Sequence, residues 1–274
     1  MLGLVSLTPA QLAFVATMVF VAGFVDSIAG GGGLISLPAY LAAGLPPHAA
    51  LATNKFSSCM GTLTAVARFY RAGKVSFRLG LAATAGALVG SALGTRIALA
   101  VSEGTIRTIV LVLVPVVLVL FLGKDRLVKW LSKPPQSSEY SASAVSLPPA
   151  DRARGLLTAG MLGFVIGTYD GFFGPGTGTF LAVGFHLLAR LDLTTASGNA
   201  RLANLASNTG SLLVFLLAGK VIFPLAAVTA AAGVLGNILG AGLAVRRGER
   251  VIRPLMVGVL ILLMIHVVRQ QFGL

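Results

Sequence analysis

Long apolar runs separated by short polar clusters organise this chain. The runs cover roughly 11–25, 79–101, 105–123, 156–169, 211–235 and 254–268. Several approach the ~20 residues that carry a helix across ~30 Å of hydrocarbon, so they predict membrane helices. Two other apolar pieces, Leu34 to Leu45 and Thr179 to Ala189, are too short for a normal span and predict half-helices or re-entrant segments. Each follows a glycine cluster, Gly30 to Gly33 or the GPGTG of Gly174 to Gly178. Glycine permits unusual backbone angles and Pro175 lacks an N–H, so the preceding helix breaks there.

The same pattern occurs twice. Aligning TNKFSSCMGTLTAVARFYRAGKV from Thr53 with NARLANLASNTGSLLVFLLAGKV from Asn199 sets Lys55 on Arg201, Ser58 on Asn204 and Thr62 on Asn208, and repeats AGKV at Ala72 and Ala218. Glu103 and Arg107 fall on Glu249 and Arg253 at the same shift, and Asp26 falls on Asp170 at a shift two residues shorter. Each half therefore predicts five segments: an apolar helix ending in glycines, a short helix, a helix carrying the cation, and two long apolar helices. The expected units are a first membrane repeat over 1–123, a Lys-, Pro- and Ser-rich cytoplasmic linker over 124–154, and a second membrane repeat over 155–274. Repeats of this size in an apolar chain are typical of transporters.

Composition agrees with an all-α integral membrane protein: 56% of residues are hydrophobic, 11% are charged, and mean hydropathy is +0.91. The net charge of +13 is divided among short clusters between apolar runs, which reads as topology signals rather than a nucleic-acid face. The first apolar stretch has no basic region before it and no A-x-A site after it, so a retained membrane segment is expected rather than a signal peptide. A single cysteine, Cys59, excludes an intramolecular disulfide. His48, His186 and His266 have no metal-ligand spacing, and no metal or cofactor is expected. No nucleophile and base pair or catalytic acid pair marks the membrane segments, which places an enzyme last among the function classes.

Loop charge predicts how the halves are oriented. Arg68, Arg71, Lys74 and Arg78 flank the third connection of the first half, where the second half has only Lys220. The fourth connection has Arg96 and Arg107 in the first half, but Arg246, Arg247, Arg250 and Arg253 in the second. Under the positive-inside rule the halves are inverted, whether each crosses five times or crosses three times with a re-entrant hairpin.

The candidate chemistry is anion binding. A charge at mid-membrane costs roughly 2.5–3.5 kcal/mol on insertion scales, so a duplicated cation calls for a role. Lys55, Ser58 and Thr62 lie at i, i+3 and i+7 and form one polar stripe, matched by Arg201, Asn204 and Asn208. Helices restarting after a glycine break, at Gly31, Gly32 and Gly33 and at Gly176, Thr177 and Gly178, offer free N–H groups and a positive dipole end. Two such ends are expected to converge across a pseudo-twofold axis. Asp26 and Asp170 have two open readings, structural salt bridges with Lys55 and Arg201 or coupling to a proton or ion. Gly86, Gly90 and Gly94, matched by Gly236 and Gly240, are spaced four apart and read as helix-packing contacts. Cys59 reads as a small apolar packing residue.

VDSIAGGGGLISLP (Val25 to Pro38) followed by ATNK (Ala52 to Lys55), with YDGFFGPGTGTF (Tyr169 to Phe180) and NARLANLASNTG (Asn199 to Gly210), resembles the sulfite exporter family TauE/SafE. The resemblance extends over nearly the whole chain outside the linker and brings Asn54 of ATNK into the candidate site. The second half departs from the first at Pro175 and Thr177, which stand where the first has Gly31 and Gly33. The resemblance implies a multi-pass transporter of the bacterial cytoplasmic membrane that moves sulfite, sulfoacetate or related sulfur-containing anions. The expected partners are a small anionic substrate and the bilayer, with no nucleic acid; the oligomeric state is left open. Each negative charge leaving a negative cell interior gains about 2.3 kcal/mol per 100 mV, which favours export. An anion channel and a proton-coupled uptake permease are the alternatives.

Overall fold

The computed structural model describes residues 7–29, 31–131 and 149–247. Among these residues all regular structure is helical: α1 (Pro9–Ala29), α2 (Gly33–Ala42), α3 (Pro47–Arg71), α4 (Phe77–Ala100), α5 (Glu103–Leu131), α6 (Pro149–Phe172), α7 (Thr177–Leu188), α8 (Leu193–Leu217) and α9 (Phe223–Arg247). The expected helix at 254–268 and the cluster at Arg250 and Arg253 lie outside the described residues, as does 132–148 in the middle of the expected linker. The ends of that linker are helical, since α5 extends to Leu131 and α6 begins at Pro149.

Among the described residues four helices are long and apolar enough to cross a bilayer, within Pro9–Ser27, Phe77–Ala100, Glu103–Leu120 and Phe223–Gly240. The 25-residue helices α3 and α8 are as long but bury polar side chains, among them Lys55, Thr62, Asn204 and Asn208. Large apolar side chains face outward instead, with Val89, Val119, Leu157 and Leu239 all more than half exposed. Bulky residues outside and small or polar residues inside suit lipid as the surrounding solvent.

The two glycine clusters form hairpin tips. Gln11 at the start of α1 donates from Nε2 to the carbonyl of Ala43, just past α2, at 3.3 Å, so α1 and α2 return to one end of the bundle. The tips are turned by Gly31 (φ 93°) in the first hairpin and by Gly174 (φ 98°) and Gly176 (φ 87°) in the second. These left-handed conformations carry little penalty only in glycine. The tips meet: a methyl group on Gly33 would lie 3.2 Å from Pro175 Cα. The two short helices therefore begin beside each other, as the sequence predicts.

Contacts between the halves fix the helix directions. Ile222, at the entry to α9, donates its N–H to Thr53 Oγ1 near the start of α3 at 3.3 Å. Gly198 near the start of α8 lies against the backbone of Lys74, just beyond the end of α3. Hence α3 and α8 run in opposite directions. Helices α4 and α6 run alongside each other in register, Gly86 at Gly160, Gly90 at Phe164 and Gly94 at Thr168, and α1 and α9 do the same, with Gly236 at Phe20 and Gly240 at Phe24. The glycines read as packing contacts do pack. Gly163, Gly167 and Gly171 of α6 complete the seam against Ala83, Ala87 and Ser91.

The α7–α8 connection is capped by Asp192, which accepts N–H groups from Thr194 and Thr195, each at 3.1 Å. Burial raises its carboxyl, but hydrogen bonds from Thr195 and Thr194 and the charge of Lys74 outweigh that and hold it below the ordinary carboxylate range. A carboxyl depressed in the folded state adds stability above its unfolded value, near ~3.9, and this is lost as pH falls through the folded value. Asp192→Ala is expected to cost about 1 kcal/mol at neutral pH. In thermal unfolding from pH 7 to pH 3 its deficit relative to wild type should shrink below about pH 4; a deficit constant across that range would refute the capping role.

Candidate functional site

Two helix ends and two helix interiors bring four ionisable side chains together. Asp26 and Asp170 stand near the C-terminal ends of α1 and α6, just before the hairpin tips, while Lys55 and Arg201 stand within α3 and α8. Each cation takes the carboxylate of the opposite half. Lys55 Nζ lies 2.7 Å from Asp170 Oδ2, with both side chains almost fully buried. Arg201 Nη1 donates to Asp26 Oδ2 at 2.7 Å, and its Nη2 donates to the backbone carbonyl of Asp26. The structure thus brings the salt-bridge reading of Asp26 and Asp170 into view and specifies the pairing, across the halves rather than within them. In this structure both cations are paired with a carboxylate. A buried charge left unpaired costs several kcal/mol, which the pairing avoids.

The two pairs differ in their remaining partners. Asp170 Oδ1 accepts from the Thr177 hydroxyl at 2.7 Å, and its Oδ2 also accepts from the Ser207 hydroxyl. Among the described residues, the Asp26 carboxylate accepts the Gly32 N–H on Oδ1 at 3.1 Å and Arg201 on Oδ2, and its side chain is 18% exposed against 2% for Asp170. The start of α2 therefore already holds an anion, the chain's own carboxylate. Gly174 has a second reason to be glycine, since a methyl group there would lie 3.2 Å from Lys55 Nζ.

One cavity joins these groups. It is bounded by Asp26, Lys55 and Asp170, by Asn54, Ser58 and Thr62 of α3, by Asn204 and Asn208 of α8, and by Gly31, Gly32, Gly33, Gly176, Thr177 and Gly178 of the hairpins. Every candidate residue except Arg201 lines it, and Arg201 is bonded to Asp26, which does. The space open to water-sized solutes is about 50 Å³, room for a few waters or one small ion. Asn208 Nδ2 lies 3.4 Å from Asn204 Oδ1, and the Ser36 hydroxyl donates to Asn54 Oδ1 at 2.6 Å.

Further wall residues escape the sequence reading: Ser36, Ser57, Gly174, Gly233 and Asn237. Ser57 is two residues past Lys55 and off the i, i+3, i+7 stripe, and it joins Tyr40 at 3.2 Å to Thr229 at 2.7 Å. Asn237 gave a signal, a lone amide in an apolar run; its Nδ2 donates to Gly233 O at 3.0 Å while its buried Oδ1 has no partner. Cys59 packs in the apolar core with Sγ 3.4 Å from Thr209 Oγ1. His48 sits between the Ala98 carbonyl at 3.0 Å and Glu103 at 3.4 Å, and His186 Nδ1 lies 2.8 Å from Leu191 O. His266 lies outside the described residues.

The family model described as "Sulfite exporter TauE/SafE" matches residues 15–267, which takes in both hairpins, both ion pairs and every wall of the cavity. The chain belongs to the sulfite exporter TauE/SafE family. TauE/SafE relatives resemble it along most of their length. "Probable membrane transporter protein YfcA" of Escherichia coli (strain K12) is 37% identical over 253 residues, 91% of this chain and 87% of the relative. "Probable membrane transporter protein ORF9" of Sinorhizobium sp is 32% identical, covering 93% and 91%. A "Probable membrane transporter protein" of Haemophilus influenzae is 35% identical, covering 87% of each. No solved structure matches the chain. This TauE/SafE protein is a multi-pass membrane transporter, not an enzyme.

Proposed function

We propose that the protein carries a small sulfur-containing oxyanion, sulfite or a compact organosulfonate, across the bacterial cytoplasmic membrane by alternating access of two inverted repeats. The observation that carries this reading is the reciprocal pair of bridges, Asp26 with Arg201 and Asp170 with Lys55, around one cavity at the meeting of two helix starts. Each bridge ties a hairpin tip of one half to a long helix of the other, so rocking of the halves would make and break them together. Oppositely directed α3 and α8, and the matched α4–α6 and α1–α9 seams, support the inversion. The exposed Arg68, Arg71, Lys74 and Arg78 would mark the cytoplasmic end. Arg201 can present a planar fork to an oxyanion and Lys55 a compact charge. A cavity of about 50 Å³ favours the smallest of these anions in this conformation.

The test is a thermal-shift screen of the purified protein against sulfite, sulfate, thiosulfate, sulfoacetate and simple carboxylates. A ligand at 100 times its Kd stabilises by about 2.7 kcal/mol. At least one sulfur oxyanion is expected to raise the transition more than acetate does, and the same anion should show saturable flux with counterflow in proteoliposomes. Flux that rises linearly with concentration and lacks counterflow would identify a channel, and absence of both shift and flux would remove the anion reading.

A further inference from the structure

The cavity's charge balance goes further than the carrier reading on which it rests. Asp26, Arg201, Lys55 and Asp170 sum to zero, so a bare anion entering would leave one buried negative charge uncompensated, a state that proteins avoid by protonation. We infer that a monovalent anion crosses together with one proton, the proton residing on Asp26 while the anion takes that carboxylate's place on Arg201.

Geometry selects Asp26 over Asp170. Asp170 is fixed by Lys55, Thr177 and Ser207 and is nearly inaccessible. Among the described residues Asp26 has fewer donors; it is also more exposed, and it lines the cavity while its partner Arg201 does not. Among the described residues that line the cavity, the only other carboxylate is Asp170. From α8 the charged group facing Asp26 is Arg201; from α3 and α6 come Lys55 and Asp170, already paired with each other. Helix α2 brings only Tyr40, engaged with Ser57, and α9 has no ionisable side chain between Phe223 and Gly240.

The step balances. A proton from the aqueous phase forms an O–H bond on the Asp26 carboxyl and breaks its ion pair with Arg201. The Arg201 N–H groups then donate to the substrate oxyanion, and the loaded site again sums to zero. On the other side the anion leaves, the proton follows, and Asp26 returns to Arg201. Transport of a monoanion is thereby electroneutral, so the membrane potential, which favours exit of a bare anion, no longer sets the direction.

Methanesulfonate is the probe, because it remains a monoanion with no titrating proton over the working range. Full-length protein is reconstituted with an internal pH dye, and the potential is clamped by potassium and valinomycin. Wild type is expected to move one proton per methanesulfonate, and a 100 mV potential should change accumulation less than twofold, against about fiftyfold for a bare anion. Whatever flux Asp26→Asn retains should be proton-free and driven by the potential, whereas residual flux in Asp170→Asn should keep one proton per anion. The wild-type stoichiometry decides the matter even if both variants misfold. Potential-driven, proton-free flux in wild type overturns the coupling and leaves the carrier reading standing. No saturable flux of methanesulfonate or sulfite by folded wild type defeats the carrier reading, and the coupling falls with it.

Discussion

Lys55→Gln is expected to destabilise the protein by about 3–5 kcal/mol, because it leaves Asp170 charged and buried with hydroxyl donors but no counter-charge. Asp170→Asn should cost a similar amount by stranding the ammonium. The double variant should recover most of the loss, since replacing both members of a buried pair with neutral groups is far less costly than removing one. Arg201→Gln should cost less than Lys55→Gln, because Asp26 is partly exposed and keeps the N–H of Gly32. The measurement is thermal unfolding in mild detergent at neutral pH for the four members of the cycle. Equal transitions for wild type and Lys55→Gln would mean that the pair is not formed in the resting protein. Independent losses that simply add in the double variant would mean that the two residues do not interact.

This cycle also locates the boundary of what the sequence reveals. The internal repeat identifies Lys55 with Arg201 and Asp26 with Asp170, and apolar surroundings single these four out. Equivalence between copies says nothing about which copy supplies each partner, however. The exchange of carboxylates between halves follows from α1 lying along α9 and α6 along α4, and those contacts leave only spaced glycines in the sequence. The residues of the cavity that were legible are those with a duplicated polar identity, such as Ser58 with Asn204 and Thr62 with Asn208. Asn237 shows only as a lone amide in an apolar run and Ser57 not at all, because their places in the wall depend on how α9 packs on α1 and α3 rather than on any local period. The glycine breaks mark the hairpin tips, but nothing local shows that the N–H groups freed there have partners within the chain. At Gly32 one of them is occupied by Asp26, a contact formed six residues apart across the tip.

The glycine seam between α4 and α6 carries the second large effect. A methyl group on Gly94 would lie 2.0 Å from the Thr168 carbonyl oxygen and 2.9 Å from the Phe172 N, and one on Gly171 would lie 2.0 Å from the Ser91 carbonyl oxygen. The obstructing atoms are backbone, so neither methyl can be accommodated by turning a side chain; the helices must part. In a bilayer, close packing is a main source of helix association, since lipid removes the hydrophobic drive between helices. Gly94→Ala and Gly171→Ala are each expected to lose at least the ~1–3 kcal/mol typical of overpacking. Gly104→Ala is the control: it has open space around its Cβ position and should be neutral or gain up to ~1 kcal/mol from helix propensity. The seam also reaches the site, because α6 ends two residues beyond Asp170. Parting α4 from α6 would draw that carboxylate away from Lys55. Gly94→Ala should therefore weaken the ligand-induced thermal shift as well as lower the transition, whereas a purely structural seam would lower the transition and leave the shift intact.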